Sequence, residues 1–276
     1  MNSCQKYFSV CALALLTQAA FAQSAPNLGA ASNFAVLSAA PNGGGAVTCT
    51  DSAISGDVGS SSSVPASITQ TRCTISGALV TPVSQAVLDG FNNAYNTLNA
   101  GTCDSAHTLT GTLAGVTLSP GVYCVDSVAK TGTLTLSGSG TWIFLVDGAL
   151  TGTNFSVVAA GTQACNVYWQ VDAAATMTTS DFIGTILAGA AITVTGGTFN
   201  GDALARAAVT LTGASVTGCV AGVSNPAPKK LACNQGVGNG PESCDPGNSN
   251  QGNPFRSNDE QGGVPGNPGR KGGNKK

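Results

Sequence analysis

The residues whose type and spacing point to chemistry in this chain are threonines. Between Cys165 and Cys219 the segments NVYWQVDAAATMTTSD, FIGTILAGAAITVTGG and FNGDALARAAVTLTGA repeat one another, and ATMTT recurs as AITVT and AVTLT. The step is 17 residues, carrying Thr176 to Thr193 to Thr210 and Thr178 to Thr195 to Thr212. Alternate strand residues point to opposite faces, so Met177, Val194 and Leu211, with Ile192 and Val209 beside them, turn one way and the threonines the other. Stacked at strand spacing, the threonines form a grid of about 4.8 Å between coils and about 6.7 Å along each strand. Such a grid supplies no proton carrier. It can hold water at lattice-like spacing through its hydroxyls while its methyls discourage disordered hydration. The plainer alternative is a solvated strand face, since threonine is a common exposed strand residue.

The usual catalytic types are sparse. Asp51, Asp57, Asp172, Asp181 and Asp202 could pair as acid and base, as in polysaccharide-cleaving β-helices, but from residue 23 to 222 there is no glutamate and no carboxylate cluster in sequence. His107 has no adjacent nucleophile or metal partner, and Arg206, within ALARAAV, fits a brace for a turn or carboxylate. No enzyme activity, cofactor or metal is expected. The tail segment CDPGNSNQGNPFRSNDE carries many oxygen-bearing side chains but lacks the spacing of a calcium loop.

A short period with strand alternation and no helical pattern marks a stacked-coil architecture, each unit covering its neighbour's apolar face. From Leu28 to Val80, SNFAVLSAA, CTDSAISGDVGSS and CTISGALV read as further, less regular coils separated by Ser and Gly turns. The period then changes. Val83, Ala86, Val87, Phe91, Ala94, Tyr95 and Leu98 recur at three- and four-residue intervals, predicting an amphipathic helix over about 82–99 with Thr81 as N-cap, Pro82 in the first turn and a stop near Gly101. Eighteen residues make a rod of about 27 Å, comparable with five or six coils at about 4.8 Å, so the helix is expected along the coil axis. Beyond it, Thr133 and Thr135 flank Leu134 as the later threonines flank their inward residues, which extends the ladder to this strand; Trp142, Phe144 and Trp169 fall in the most apolar strands and read as core.

Residues 1–22, with Lys6, an apolar run and the ending Ala20-Phe21-Ala22, read as a secretory signal peptide, so the mature chain is expected to be secreted, extracellular or held at the cell surface. Eight cysteines remain after its removal, an even number that favours disulfides in an exported protein. Pairing in sequence order joins Cys49 to Cys73, Cys103 to Cys124, Cys165 to Cys219 and Cys233 to Cys244, although sequence does not determine connectivity. Residues 23–222 carry three basic side chains against nine aspartates, 3 − 9 = −6, which excludes the basic stripe that nucleic acid needs. Residues 223–276 are rich in Gly, Pro and Asn, with seven basic and four acidic side chains, 7 − 4 = +3, and are expected to form a disordered tail whose basic end, GRKGGNKK, contacts an anionic cell surface.

At this point SNFAVL, ISGDVG, LDGFNNAYNTL, LSPGVYCV, ACNVYWQV, FIGTILA and NGDALARAAVTL, spanning Leu28 to Val220, resemble the secreted ice-binding (antifreeze) proteins of cold-living microbes. The resemblance implies a mainly β fold: a right-handed, discontinuous β-solenoid of triangular cross-section with one long α-helix packed alongside the coil axis. It also implies adsorption to ice through a flat threonine-rich face, inhibiting ice growth and recrystallisation. The family's T-A/G-x-T/N motif is matched by Thr151-Gly152-Thr153-Asn154 and Thr195-Gly196-Gly197-Thr198, more loosely by Thr212-Gly213-Ala214-Ser215 and Thr178-Thr179-Ser180-Asp181. Ladder and motif together nominate Thr133, Thr135, Thr151, Asn154, Thr176, Thr178, Thr193, Thr195, Thr198, Ala208, Thr210 and Thr212. The expected partner is an ice crystal surface, met by a monomer without a membrane span. The alternative is a cell-surface adhesive or polysaccharide-binding module on the same scaffold.

Overall fold

The structure, a computed structural model, describes residues 24–103, 105–160 and 164–219. The expected signal peptide, the expected tail and the pair Cys233 and Cys244 lie outside the described residues. Strands Phe34–Ser38 (β1), Val47–Thr50 (β2), Ala53–Ser55 (β3), Asp57–Ser60 (β4), Ile68–Thr71 (β5), Thr74–Ile75 (β6) and Leu79–Val80 (β7) precede the helix Gln85–Asn99 (α1). After it come Thr108–Leu109 (β8), Thr117–Leu118 (β9), Gly121–Val125 (β10), Lys130–Ser137 (β11), Trp142–Val146 (β12), Leu150–Ala160 (β13) and Val167–Val171 (β14). The series ends with Ala175–Ile183 (β15), Thr185–Ala188 (β16), Ile192–Asn200 (β17), Ala203–Ala205 (β18), Val209–Thr212 (β19) and Ser215–Thr217 (β20).

These strands stack in parallel as a three-faced solenoid. One face runs β7-β4-β1-β18-β16-β14-β12-β10-β8, and a second runs β5-β2-β19-β17-β15-β13, ending at Lys130 of β11. The third is built from β6, β3 and β20, from the second halves of the long strands β17, β15 and β13, and from β11 beyond Gly132 with β9. The stack is discontinuous in sequence, because β1 lies between β18 and β4 while β2 lies between β19 and β5. The first coil of the chain therefore sits on the last.

Alternation turns one side of every strand into the shaft. Phe144 and Trp169 stack at 3.8 Å between ring centroids, and Trp169, Phe182 and Phe199 continue the column at 5.3 and 5.2 Å. Trp142, Phe144 and Trp169 are fully buried, and both indoles donate inside the shaft, Trp142 to the Leu118 carbonyl and Trp169 to that of Ile183. Each such side chain contributes roughly 1.5–3 kcal/mol of burial, and the paired N–H groups remove the penalty that an unbonded indole would carry.

The helix covers the first face. Leu37, Leu204, Leu187 and Leu145 stand in one register column there, broken only by Gln170, and pack with Val83, Val87, Phe91, Ala94, Tyr95 and Leu98. Gln170 satisfies its buried amide by donating to Asn99 at 3.0 Å and to Asp172 at 2.8 Å. Ala86 lies on the exposed side of the helix instead of its core face. The helix also begins later than its periodicity predicts. Its N-cap is Ser84, and Thr81, joined to Pro82 by a cis peptide, is held by the solenoid through Ser62 and Ser67 while the Val83 amide donates to the Ser60 carbonyl. Residues 81–83 thus belong to the last N-terminal coil. At the other end Gly101 donates to the Leu98 carbonyl at 2.8 Å, close to the expected stop.

Among the described residues three disulfides join Cys49 to Cys73, Cys103 to Cys124 and Cys165 to Cys219, with Cα separations of 5.8, 5.7 and 5.5 Å. Beside the last, Asp202 is buried and accepts from the Cys219 amide at 2.6 Å and from Thr185 at 3.3 Å. Burial outweighs these bonds and pushes its carboxyl up to about 7.

Two outcomes follow from this packing. A methyl added at Gly90 would stand 2.4 Å from the Leu28 carbonyl oxygen. Helix propensity alone would favour Gly90→Ala by about 1 kcal/mol, but the backbone contact must open, so the variant is expected to lose about 1–2 kcal/mol net and to melt at a lower temperature. For Asp202 the folded state binds its proton more tightly than the unfolded chain does, so its contribution is full below about pH 4 and is lost as pH rises through about 7. In denaturant titrations, the stability of the wild type relative to Asp202→Asn should fall across that window and level off above it.

Candidate functional site

The second face carries one short pattern six times. Ile68-Thr69-Gln70-Thr71, Val47-Thr48-Cys49-Thr50, Val209-Thr210-Leu211-Thr212, Ile192-Thr193-Val194-Thr195, Ala175-Thr176-Met177-Thr178 and Leu150-Thr151-Gly152-Thr153 are stacked in that order. Their registers align two unbroken columns. Thr69, Thr48, Thr210, Thr193, Thr176 and Thr151 form the first; Thr71, Thr50, Thr212, Thr195, Thr178 and Thr153 form the second. Six rungs of two give 12 threonines on one face.

The local sequence explains the regularity. In the inner rungs the first and third residues point into the shaft, where Val47, Cys49, Ala175, Met177, Ile192, Val194, Val209 and Leu211 are buried; in the end rung Ile68 is half-buried and Gln70 exposed. Gly152 has no side chain to place there, and its room is taken by Met177, whose Sδ lies 2.7 Å from where a Cβ would be. The outward threonines are β-branched and stiff at χ1. Thr151, Thr176, Thr193 and Thr210 are half-buried against one another, while Thr48, Thr69 and Thr71 towards the end of the stack are exposed.

A left-handed residue follows the second threonine of every rung. Arg72, Asp51, Gly213, Gly196, Thr179 and Asn154 have φ of 49, 50, 62, 65, 46 and 49°. This conformation turns the chain out of the face at the same place in each coil. Gly196 and Gly213 meet it without a Cβ penalty; at Asn154 and Thr179 the side chains bond each other at 2.7 Å, and at Arg72 and Asp51 a two-point ion pair spans the corner. The guanidinium beside Asp51 holds that carboxyl below the usual carboxylate range. Both groups are charged, yet they neutralise one another at the flank of the ladder, and the 12 ladder positions carry no charge.

The nominated residues divide between faces. Thr151, Thr176, Thr178, Thr193, Thr195, Thr210 and Thr212 share the ladder; Asn154 is at its corner, and Ala208 lies in the turn before Val209, its carbonyl accepting from Ile192. Thr133, Thr135 and Thr198 do not belong to it. Thr133 and Thr135 are in register with Ser156 and Val158, and Thr198 with Asp181, all on the third face. The cause is a register shift between Lys130 and Gly132, which carries Thr133 past the corner. Lys130, paired in register with Gly152, is fully buried and donates to the Gly111 carbonyl at 2.9 Å and to Asp126 at 2.6 Å. Sequence reasoning did not assign Thr48, Thr50, Thr69 and Thr71 to the site, and read Thr153 only within a motif. The available signal was the pattern of an apolar residue, threonine, any residue, threonine, seen at VTCT and ITQT, outside the 17-residue period.

The third face is chemically mixed: Ser156, Asp181, Thr198, Ser215, Ala53 and Thr74 form one column, and Thr198 donates to Asp181 at 2.7 Å. The five aspartates considered as acid and base are each engaged separately. Asp51 holds Arg72, Asp57 accepts from the Ala78 amide, Asp172 from Gln170, Asp181 from Thr198 and Asp202 from Cys219. Arg206 lies 3.9 Å from the Tyr95 ring centroid and donates to Asn96, bracing the helix against the turn after β18. His107 packs near the Tyr123 ring at 5.5 Å.

Comparison with known proteins gives a consistent result. The family model described as Ice-binding-like matches residues 42–217. Ice-binding protein K3-B1 of Typhula ishikariensis is 34% identical over 216 residues, spanning 68% of this chain and 87% of its own. An ice-binding protein of Flavobacterium frigoris (strain PS1) is 36% identical over 189 residues, 59% of this chain and 64% of its own length. Among solved structures, an ice-binding protein from an Antarctic biological consortium aligns with a TM-score of 0.62 at 32% identity, covering 71% of this chain and 92% of that one. The ice-binding protein of Antarctomyces psychrotrophicus aligns at 0.60 and 33% identity, covering 70% and 98%. With the family model matched over most of the solenoid and a relative 34% identical across 68% of the chain, the chain belongs to the ice-binding-like family.

Proposed function

We propose that this protein is an exported ice-binding protein that adsorbs to ice through the face formed by its threonine ladder. The observation that carries the reading is the unbroken register of 12 threonines over six rungs, uncharged throughout. Their spacing, about 4.8 Å between rungs and about 6.7 Å within each, presents hydroxyls and methyls at fixed intervals. The methyls disfavour disordered hydration and the hydroxyls anchor the water that remains. Each contact is weak. Because the inner rungs are paired on both sides and the side chains are stiff, little freedom is lost on docking, and many aligned contacts sum to a firm hold.

Adsorbed molecules pin the growth front, which must curve between them; curvature lowers the local freezing point and slows the growth of large crystals at the expense of small ones. No side chain needs to carry out a reaction. Stiffness comes from the packed shaft, from α1 on the first face, and from Cys49–Cys73, which ties the Val47–Thr50 rung to the coil of the end rung just past Arg72. Export rests on the leader-like residues 1–22, and cell-surface contact on the basic residues 223–276. Salt-resistant binding of the isolated tail to cells would argue against the latter's electrostatic basis.

The test is ice growth in cooled nanolitre droplets. Thr193→Tyr, at the centre of the ladder, is expected to shrink the gap between melting and freezing several-fold. Ala86→Tyr, on the solvent side of α1, should leave it unchanged. Thr71→Tyr, on the outermost rung, should have a smaller effect than Thr193→Tyr. Equal losses from Thr193→Tyr and Ala86→Tyr, with all variants folded, would remove the ladder from consideration.

A further inference from the structure

The ladder is built from two separate segments of the chain. Four rungs come from residues 150–212 and two from residues 47–71, and they meet where β19 pairs with β2. Within either segment, each rung leads to the next through a single coil. At this junction Thr210 and Thr48 are neighbours although 162 residues apart in sequence, 210 − 48 = 162. No connecting turn sets their relative height.

Two buried serines occupy the two corners of the face at this junction. At the corner towards α1, Ser38 is 0% exposed; its hydroxyl donates to the Ala207 carbonyl at 2.6 Å and accepts from the Ala46 amide at 3.0 Å. At the corner towards the third face, Ser52 is 7% exposed; its hydroxyl donates to the Thr50 carbonyl at 2.7 Å and accepts from the Ala214 amide at 3.0 Å. Each therefore bridges the first coil to the last, and each acts beside the ladder: Ala46 precedes Val47, Ala207 lies just before β19, and Ala214 follows it. Ser180 makes the same corner bond three coils along the stack, between β15 and β13, donating to the Thr178 carbonyl and accepting from the Phe155 amide at 3.2 Å. There a chain connection already joins the coils. At the β19–β2 junction it does not, so the hydroxyls add to the backbone ladder what continuity supplies elsewhere.

We propose that Ser38 and Ser52 are positioning residues for ice recognition: they lock the two-rung sector containing Thr48, Thr50, Thr69 and Thr71 level with the four-rung sector, so that ice meets one six-rung plane. The proposal rests on the ice-binding reading of the ladder. Replacing Ser38 by alanine takes the partner from the half-buried Ala46 amide and Ala207 carbonyl, and replacing Ser52 takes it from the buried Ala214 amide, while the Thr50 carbonyl keeps the Gly213 amide; neither changes a surface group. The junction then opens locally more often, and the two sectors no longer present a common plane.

The experiment compares the full chain with Ser38→Ala/Ser52→Ala, each alone and combined with Thr50→Tyr or Thr193→Tyr. In the double serine variant, amide exchange in residues 46–50 is expected to speed up on the order of tenfold, the effect of one buried hydrogen bond lost, while residues 176–178 keep their protection. The freezing gap should fall. Thr50→Tyr, which lowers the gap in the wild type, should add little to that loss, whereas Thr193→Tyr should still remove most of what remains; this non-additivity separates positioning from general destabilisation. An unchanged gap, uniform acceleration of exchange over all rungs, or an undiminished Thr50→Tyr effect overturns the proposal. If the double variant does not fold, Ser38→Ala and Ser52→Ala are measured singly by the same criteria. If Thr193→Tyr leaves the wild-type gap untouched, the ice reading itself fails, and the exchange pattern alone decides whether the serines hold the junction.

Discussion

The structure depends on keeping every coil in register with the one beneath it. Parallel backbone bonding sets the vertical step, but it does not by itself decide where each coil leaves a face. That is decided at the corner, where a left-handed residue follows the second threonine in all six rungs. Because Arg72, Asp51, Gly213, Gly196, Thr179 and Asn154 turn at equivalent places, the threonines before them fall into columns. A shift of one position would exchange inward and outward side chains and bury hydroxyls in the shaft. Flatness of the outer surface is thus a consequence of a constraint on the inner one.

The three faces meet that constraint with different chemistry. On the face under α1, outward leucines are absorbed by a helix whose own apolar stripe matches them. On the third face, Ser, Thr, Asp and Asn mix with Val158, exposed at 46%, and the pattern varies from coil to coil. Only the ladder face repeats a single residue type. Its two columns lack charge, and Arg72 and Asp51, which follow Thr71 and Thr50, are tied to each other at the end of the stack.

Much of this is legible in the sequence because repetition is visible without structure. The 17-residue step from Thr176 through Thr210 places three rungs and the inward positions Met177, Val194 and Leu211, and the change of period after residue 80 reveals the helix. What escapes is set by contacts distant in sequence. Thr133 and Thr135 have the same local pattern as the true rungs, and only the register shift after Lys130 puts them on another face. Conversely, VTCT and ITQT share the local pattern but precede the helix and stand outside the repeat, so the pattern alone does not say that they continue the columns of Thr210 and Thr212. Thr81 has the type and place of a helix cap, but its hydroxyl is engaged by the preceding coil. In each case the deciding partner is a neighbour in the stack, which a linear pattern does not name.

The interleaved order of the coils also governs how the molecule can be made. As synthesis proceeds, β1 and β2 emerge early, but the strands against which they pair, β18 and β19, are near the end of the domain. The nascent chain must therefore carry an open β edge through the appearance of the helix and most of the later coils, and closure waits for residues 203–217. Long-range pairing of this kind folds slowly. The two ends of the solenoid are therefore interdependent: losing the final coil would uncover the first.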